Sequence, residues 1–278
     1  MNRRIEKVTF NSSLTKFGKG LFETIKVIDG KGLLLEEHLN RLFKSIEELG
    51  LATQDSEDFG DSFWEEYRAL LQKDIEIACK DRDEEALRLT VCDEGYNLSF
   101  RKINYNHEDF RRGFWLCLSP VCRGSSPVYH HKTSNYLENI LTLEKAKQRG
   151  FDEGLFLNTR GYVLEGAISN IFFIRGDKVH TPSVEQGILP GVMRDKVIEA
   201  CNDLGIDVSC RRIEYEKAFE YGFAFITNSL LDMMKVRGIE ENEYDVDLDD
   251  LSRTGKNKTE KDVFRALTRK VKELCYEG

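Results

Sequence analysis

The stretch GLFLNTRGYVLEGAISNIFFIRGDKVHTP, residues 154–182, decides the fold of this chain. It contains four β-prone runs, GLFLN, YVLEG, ISNIFFI and KVHTP, with the turn sequences T-R-G and R-G-D between the first and the last pair. Short β-prone runs bounded by turn residues are typical of neighbouring antiparallel strands. The stretch therefore predicts a β-meander.

Patterns on both sides of the meander indicate a mixed α/β chain. Upstream, LFETIKV (21–27), the turn dipeptide Asp29-Gly30 and the apolar run GLLL predict a hairpin. Apolar residues then recur at helical spacing from about Glu36. Further predicted elements are a helix over 57–81, strands over 86–92 and 113–120, a helix in LENILTLEKAKQRG, a helix after GILPG, a strand in FAFITNSLL and a closing helix over 259–274.

A change in amino-acid composition after the first predicted strands indicates two domains. Residues 120–131, PVCRGSSPVYHH, hold two of the four prolines with Gly and Ser between them, which is typical of a domain connection. A chain of 278 residues with 40% hydrophobic content is long enough for two cores. We expect an N-terminal α/β domain over 1–121, an interdomain loop over 122–127 and a C-terminal domain over 128–278.

Composition excludes several classes of protein. A net charge of −8 without a basic block argues against binding of nucleic acid. Seven cysteines, with no C-x-x-C pair, indicate neither a disulfide framework nor a zinc site, so we expect no metal. The start MNRRIEKVTF lacks the apolar run of a signal peptide, and no stretch is apolar enough for a membrane helix. A cytoplasmic protein without a membrane partner is expected.

The junction GILPGVMRD (187–195) has the pattern of an anion site. A proline and two glycines form a tight connection, and the first N–H groups of the following helix, near Val192 and Met193, have no partner within the helix. Such a helix start binds phosphate. An ordinary loop before a helix is the alternative.

Four side chains outside that junction could carry chemistry, and each has a structural alternative. Arg41 lies on the flank of an apolar helical stripe and could bind a phosphate or face water. Ser229 could donate to a ligand or cap a turn. Glu165 ends a strand before two small residues, and Lys132 becomes a nucleophile only where its pKa is lowered. Spacing alone leaves these alternatives open.

The motifs in order are more specific than any one of them. They are FGKGLFETIKV, LEEHLNRL, HHKTSNYLENIL, the meander, QGILPGVMRD and FITNSLLDMM, which cover most of residues 17–237. This order resembles the fold-type IV pyridoxal-phosphate enzymes, which include branched-chain and D-amino-acid aminotransferases and aminodeoxychorismate lyase. The resemblance implies a small N-terminal α/β domain, a larger C-terminal pseudo-barrel domain and a homodimer.

The resemblance also implies roles for single residues. Lys132 matches the lysine that bonds to the aldehyde of pyridoxal 5′-phosphate and later moves the proton at the substrate carbon. Glu165 matches the carboxylate that pairs with the pyridine nitrogen, which makes the ring an electron sink. The other implied cofactor-binding residues are Arg41, Val192, Met193 and Ser229 at the phosphate, Tyr136 near the phenolic oxygen and Leu189 on the ring face.

We expect an enzyme that acts on a substrate with an amino group and removes the proton from the carbon that bears this group. The run ITNSLLDMM is more similar to the lyases, so the preferred reaction converts 4-amino-4-deoxychorismate into 4-aminobenzoate and pyruvate. An aminotransferase for branched-chain or D-amino acids with 2-oxoglutarate is the alternative, and a catalytically silent homologue that binds the cofactor is the second. Acidic Cys92-Asp93-Glu94-Gly95 stands where relatives carry a carboxylate-binding arginine. The expected substrate pocket is Glu23, Thr24 and Arg101.

Overall fold

The computed structural model describes residues 3–51, 61–248 and 258–277, and it divides into two compact units. Unit 1 comprises residues 1–104 and 131–136, and unit 2 comprises residues 105–130 and 137–278. Residues 105–121, expected in the N-terminal domain, lie in unit 2 because strand Phe114–Leu118 pairs with strands of that unit. Residues 131–136, expected in the C-terminal domain, lie in unit 1 because they run along its first strand.

Unit 1 is a four-stranded antiparallel sheet with the strand order β2-β1-β3-β4. Residues of α2 and α3 form one hydrophobic core with the strands, and its fully buried helical members are Leu39, Leu71, Ile75 and Cys79. The elements are α1 (Ser13–Phe17), β1 (Gly20–Ile28), β2 (Lys31–Gly32), α2 (Leu35–Glu48), α3 (Asp61–Cys79), β3 (Glu84–Cys92) and β4 (Gly95–Lys102). Residues 57–60 of the predicted helix lie outside the described residues.

The predicted hairpin forms, but its second strand is short. Asp29 and Gly30 have φ angles of 47° and 79°, as a two-residue hairpin turn requires. Leu34, the N-cap residue immediately before α2, is also left-handed, with φ of 54°. Extended backbone therefore ends early, and β3 is the main partner of β1 along its whole length.

Unit 2 is built on a nine-stranded sheet. The order is β10-β9-β8-β11-β12-β5-β6-β7, with β13 paired to β12. Its helices are α4 (His107–Arg112), α5 (Leu137–Gln148), α6 (Val192–Asp203) and α7 (Lys258–Tyr276), with 3₁₀ turns at Pro127–His130, Val184–Gln186 and Tyr215–Glu220. Its strands are β5 (Phe114–Leu118), β6 (Glu153–Leu157), β7 (Val163–Gly166), β8 (Asn170–Arg175), β9 (Lys178–Pro182), β10 (Val208–Arg211), β11 (Phe223–Asn228), β12 (Asp232–Ile239) and β13 (Asn242–Glu243).

The sheet of unit 2 curls. β7 is an edge strand, whereas β8 lies in the interior of the strand order, although only residues 167–169 link the two strands. So short a link requires the sheet to bend back on itself, which confirms the predicted pseudo-barrel. The meander is therefore interrupted: β6 pairs with β7 and β8 with β9, but β7 and β8 belong to separate ladders.

The α/β prediction is confirmed in both units. The core of unit 2 is aromatic, with the rings of Phe172 and Phe225 stacked at 4.9 Å and Phe264 of α7 packed on Phe225 at 5.4 Å.

Among the described residues, the helices are too short or too polar to cross a bilayer. The same residues contain no cluster of His, Cys, Asp and Glu that could hold a metal ion.

Candidate functional site

Lys132 is fixed through its backbone at the edge of β1. Its carbonyl accepts a hydrogen bond from Phe22 N–H at 2.9 Å, and Ser134 N–H donates to the Gly20 carbonyl at 2.8 Å. The Lys132 ammonium lies 4.5 Å from the centroid of the Phe22 ring and 5.2 Å from that of Tyr136. The structure thus brings Lys132 and Tyr136 together beside the Phe22 ring.

A buried ionic cluster lies on the helix-covered face of the same sheet. Glu23 of β1 is 1% exposed, and Arg41 of α2 donates to its two oxygens at 2.8 and 2.6 Å. His38 Nδ1 lies 2.7 Å from Glu23 Oε2. Because His38 and Arg41 are three residues apart on α2, the same face of the helix presents both side chains to Glu23.

The cluster has defined charge states. Burial alone would raise the pKa of Glu23, but the charge of Arg41 and the hydrogen bond from His38 lower it to about 2. Burial lowers the pKa of His38 against the opposing effect of Glu23, and Lys132 lowers it further. Arg41, expected at the cofactor phosphate, is anchored by the Glu23 carboxylate.

The opposite face of the sheet carries different chemistry. Because consecutive strand residues point to opposite faces, Thr24 lies on the other side of the sheet from Glu23. Thr24 is directly opposite Arg88 of β3, which sequence analysis did not single out. The Arg88 guanidinium lies 3.7 Å from the centroid of Phe22, the ring that also contacts Lys132. Arg101 of β4 is directly opposite Ala86, which is two residues from Arg88 on β3, so Arg101 lies on the same face of the sheet.

The acidic run 92–95 has a structural role in unit 1. Asp93 accepts a hydrogen bond from Ser13 N–H at 2.8 Å, and Glu94 accepts from the Thr9 N–H at 3.0 Å and from the Thr9 hydroxyl. These two carboxylates therefore hold the segment that precedes β1. The resemblance of the motifs implies a carboxylate-binding arginine at this place, and the structure uses Asp93 and Glu94 there for attachment.

In unit 2, Glu165 is the penultimate residue of β7, and hydrogen-bond donors surround its carboxylate. Its carboxylate is 6% exposed and accepts from Arg123 at 2.7 Å, from the Leu189 N–H at 3.0 Å and from the Asn170 side chain at 3.2 Å. Three donors, one of them a guanidinium, suit an ionised carboxylate. Glu165 and Leu189, both implied by the resemblance, thus lie together.

Arg123, the cationic partner of Glu165, is a residue that sequence analysis missed. It is 2% exposed, its guanidinium lies 3.6 Å from the Phe156 ring centroid, and it also donates to Asn139 at 3.2 Å. The Pro-rich and Gly-rich segment around it indicated a solvent-exposed connection. One sequence signal could have found it. Arg123 is the single arginine of the segment 120–131, and a strand-end glutamate such as Glu165 requires a cationic partner if it is buried.

The junction before α6 is connected to Glu165 through Asn170. The Asn170 amide donates to the Leu189 carbonyl at 3.0 Å as well as to Glu165. Gly191 is the N-terminal cap residue of α6 and provides no side-chain cap, so the first N–H groups, at Val192 and Met193, are suited to an anion. A Cβ at Gly191 would lie 2.0 Å from the Asn170 side-chain oxygen, which explains the glycine.

Ser229 lies in a turn that is tied to the same region. The Asn228 side chain accepts from the N–H groups of Leu230 and Leu231 at 2.9 and 3.0 Å, which fixes the turn around Ser229. The same side chain donates to the Ile168 carbonyl at 3.2 Å. Unit 2 therefore joins Glu165, the start of α6 and the Ser229 turn by hydrogen bonds.

Comparisons with known proteins identify the family. The family model for amino-transferase class IV matches residues 20–239. A probable branched-chain-amino-acid aminotransferase of Rickettsia felis is 28% identical over 244 residues, covering 84% of this chain and 82% of that protein. Aminodeoxychorismate lyase of Bacillus subtilis is 28% identical over 246 residues, covering 82% of this chain and 80% of that protein.

Solved structures give the same result for the fold. The PLP-bound form of a hypothetical aminotransferase from Mycobacterium tuberculosis superposes with a TM-score of 0.78 at 21% identity, covering 98% of this chain and 94% of that one. The resemblance of the motifs is thereby confirmed by the match over residues 20–239. The chain belongs to the class IV aminotransferase family of pyridoxal-phosphate-dependent enzymes.

Proposed function

We propose that this protein is an aminodeoxychorismate lyase, which releases 4-aminobenzoate and pyruvate from 4-amino-4-deoxychorismate. The observation that carries the proposal is the sheet face beside Lys132. Thr24, Arg88 and Arg101 make this face polar and cationic, and Arg88 contacts the same Phe22 ring as the Lys132 amine. Guanidinium groups bind carboxylates in a bidentate manner. The proposed substrate carries two carboxylates, whereas a branched-chain side chain requires an apolar surface.

The side chains present fit pyridoxal phosphate. The amine of Lys132, whose backbone is fixed, suits the aldehyde of the cofactor. The buried Glu165 carboxylate with its arginine partner suits the ring nitrogen. The start of α6, which has no side-chain cap, suits the phosphate. When bound, the cofactor supplies a ring that accepts electron density from the substrate carbon. Lys132 would hold the cofactor through its aldehyde, and its amine would take the proton from the substrate carbon that bears the amino group.

The remaining residues orient the cofactor in this proposal. Glu165 keeps the ring nitrogen protonated, and the Arg123 contact holds the carboxylate in its ionised form. Arg41, the N–H groups of Val192 and Met193, and Ser229 would hold the phosphate. Tyr136 would lie near the phenolic oxygen, and Leu189 would pack against the ring.

An aminotransferase for branched-chain or D-amino acids is the second candidate. The observation that favours it is the likeness to the Rickettsia aminotransferase, at the same 28% identity as the Bacillus lyase. Both reactions begin with loss of the same proton, so Lys132 and Glu165 serve either. The substrate pocket selects between the two reactions by stabilising one of the two later transition states more than the other.

Product analysis tests the proposal. Purified protein with bound cofactor is supplied with aminodeoxychorismate and, separately, with leucine or D-alanine plus 2-oxoglutarate. We expect 4-aminobenzoate and pyruvate from the first mixture and no glutamate from the others. Glutamate without 4-aminobenzoate would establish the aminotransferase instead. Inertness in all mixtures, with normal cofactor binding, would mean that this homologue is catalytically silent.

A further inference from the structure

Glu153, the first residue of β6, is a buried carboxyl group to which the proposed reaction assigns no role. Its side chain is 0% exposed. One oxygen, Oε1, accepts from the Ile168 N–H at 2.7 Å and from the Ser169 hydroxyl at 2.8 Å. The other oxygen, Oε2, is buried with no hydrogen-bond partner among the described residues. Burying a carboxyl oxygen without a hydrogen-bond partner lowers the stability of the folded protein. A role in the site can offset this cost.

The surroundings of Glu153 are shaped for its carboxylate. Gly166, at the end of β7, has no side chain, and a Cβ there would lie 2.4 Å from Glu153 Oε1 and 2.3 Å from the Ser169 hydroxyl oxygen. The Gly166 N–H donates to the Ser169 carbonyl at 2.8 Å, which closes a tight turn. The turn and the carboxylate thus occupy space that only glycine leaves open.

The turn held by Glu153 leads directly to Asn170. Glu153 binds the two residues before Asn170, and Asn170 donates to Glu165 and to the Leu189 carbonyl. Glu165 lies immediately before Gly166, so the same turn is attached to the carboxylate at one end and to its amide partner at the other. A shift of the turn therefore moves both.

We propose that Glu153 is a positioning residue, which in its ionised form fixes the turn Gly166–Ser169 and so holds Glu165 and Asn170 in register. The inference rests on the proposed role of Glu165 at the ring nitrogen of the cofactor. Glu153 itself touches neither cofactor nor substrate in this account.

The electrostatics of the site make this effect dependent on pH. Burial raises the pKa of Glu153 to about 7, against the lowering effect of its two hydrogen bonds. The charged groups that face it are the carboxylates of Glu165 and Asp152, which have arginine partners in Arg123 and Arg112. Near neutral pH, Glu153 therefore changes between an ionised acceptor of two strong hydrogen bonds and a neutral acid that accepts weaker ones.

The test measures the dissociation constant of pyridoxal phosphate across pH by visible absorption, between about pH 5.5 and about pH 8.5. Four proteins are compared: wild type, Glu153→Gln, Glu165→Gln and the control Glu240→Gln. Glu240 is a matched control because it also accepts a backbone N–H, from Leu118, at 2.7 Å. Taking the ratio of variant to wild type cancels the titration of the cofactor and of Lys132.

We expect Glu153→Gln to bind as wild type at the acid end and about ten-fold more weakly at the alkaline end. Glu240→Gln should have a ratio near one throughout. If Glu165→Gln weakens binding but the Glu153→Gln ratio is constant across pH, Glu153 is merely structural and the inference is wrong. If Glu165→Gln has no effect, the proposed role of Glu165 fails first, and the inference falls with it.

A second variant covers the case in which Glu153→Gln does not fold. Ser169→Ala removes one of the two donors to Glu153 and keeps the carboxyl group. We expect its affinity for pyridoxal phosphate to fall only above the pH at which Glu153 ionises. A loss of the same size at all pH values would overturn the inference.

Discussion

At the scale of single residues, two buried carboxyl groups have opposite electrostatics. Glu23 lies between Arg41 and His38, and its pKa is lowered to about 2. Glu153 has hydrogen-bond donors but no cation, and burial raises its pKa to about 7. Glu23 is therefore stabilised as an anion, whereas Glu153 changes its charge near neutral pH. Each makes a separate prediction for stability.

Glu23→Gln should destabilise the protein at neutral pH by about 2–3 kcal/mol. The pKa of Glu23 in the folded protein is below its ordinary value of 4.5, so its stabilising effect is present above that value and is lost as the pH falls toward about 2. Urea unfolding from neutral to acid pH should show the gap to wild type narrowing below about pH 4.5. Glu36→Gln, which breaks an exposed pair with Arg68, is the control with little effect. A gap that does not depend on pH would contradict the assignment.

Glu153→Gln should change the slope of stability against pH. The pKa of Glu153 in the folded protein is above 4.5, so wild type binds the proton more tightly when folded, and its stability falls as the pH rises from about 4.5 to about 7. The variant lacks this fall, which we expect to amount to about 1–3 kcal/mol. Unfolding free energies of the protein without cofactor check it. Parallel curves for the two proteins would show that the carboxyl group does not titrate in this range.

Arg41→Ala should lower the affinity for pyridoxal phosphate about ten-fold or more, because a charge-assisted hydrogen bond is lost. It also leaves the Glu23 carboxylate with less compensation, so the variant should be less stable. The double variant Arg41→Ala with Glu23→Gln separates the two effects. Stability should recover in the double variant and affinity should not. If both recover together, Arg41 acts only through Glu23.

At the scale of secondary-structure elements, the helix start at α6 is the feature that most depends on a single small residue. Gly191→Ala places a Cβ 2.0 Å from the Asn170 side-chain oxygen, so Asn170 must move away from Glu165 and Leu189. We expect about a ten-fold loss of cofactor affinity, measured by titration of the protein without cofactor. Gly124→Ala is the control, because a Cβ there meets no atom within 4 Å. Equal affinities of the two variants would contradict this role of the helix start.

Periodicity was sufficient to predict most elements, since each depends mainly on its own residues. β1, α2, β3 and α6 follow from alternation or helical spacing and from turn residues such as Asp29-Gly30. Strands β4, β10, β12 and β13 and helices α1 and α4 were not predicted, and two predicted features differ from the structure. The short β2 results from the left-handed backbone of Leu34, and the break between β7 and β8 results from a turn whose partners come from distant strands.

At the scale of the whole molecule, the candidate site was predictable only in part. The motif order identified Lys132 and Glu165, and the structure gives each a defined environment within its own unit. Arg88, Arg123 and Glu153 escaped detection because their importance depends on residues far along the chain. The expected homodimer stays a prediction, which light scattering of the purified protein can check.

The amine of Lys132 is the centre of the account. Reduction of the protein bearing pyridoxal phosphate with borohydride, followed by digestion and mass spectrometry, locates the lysine that holds the cofactor. We predict a single modified peptide that contains Lys132, and no modification in Lys132→Ala. Modification at another lysine instead, including buried Lys26 or Lys235, would contradict the account.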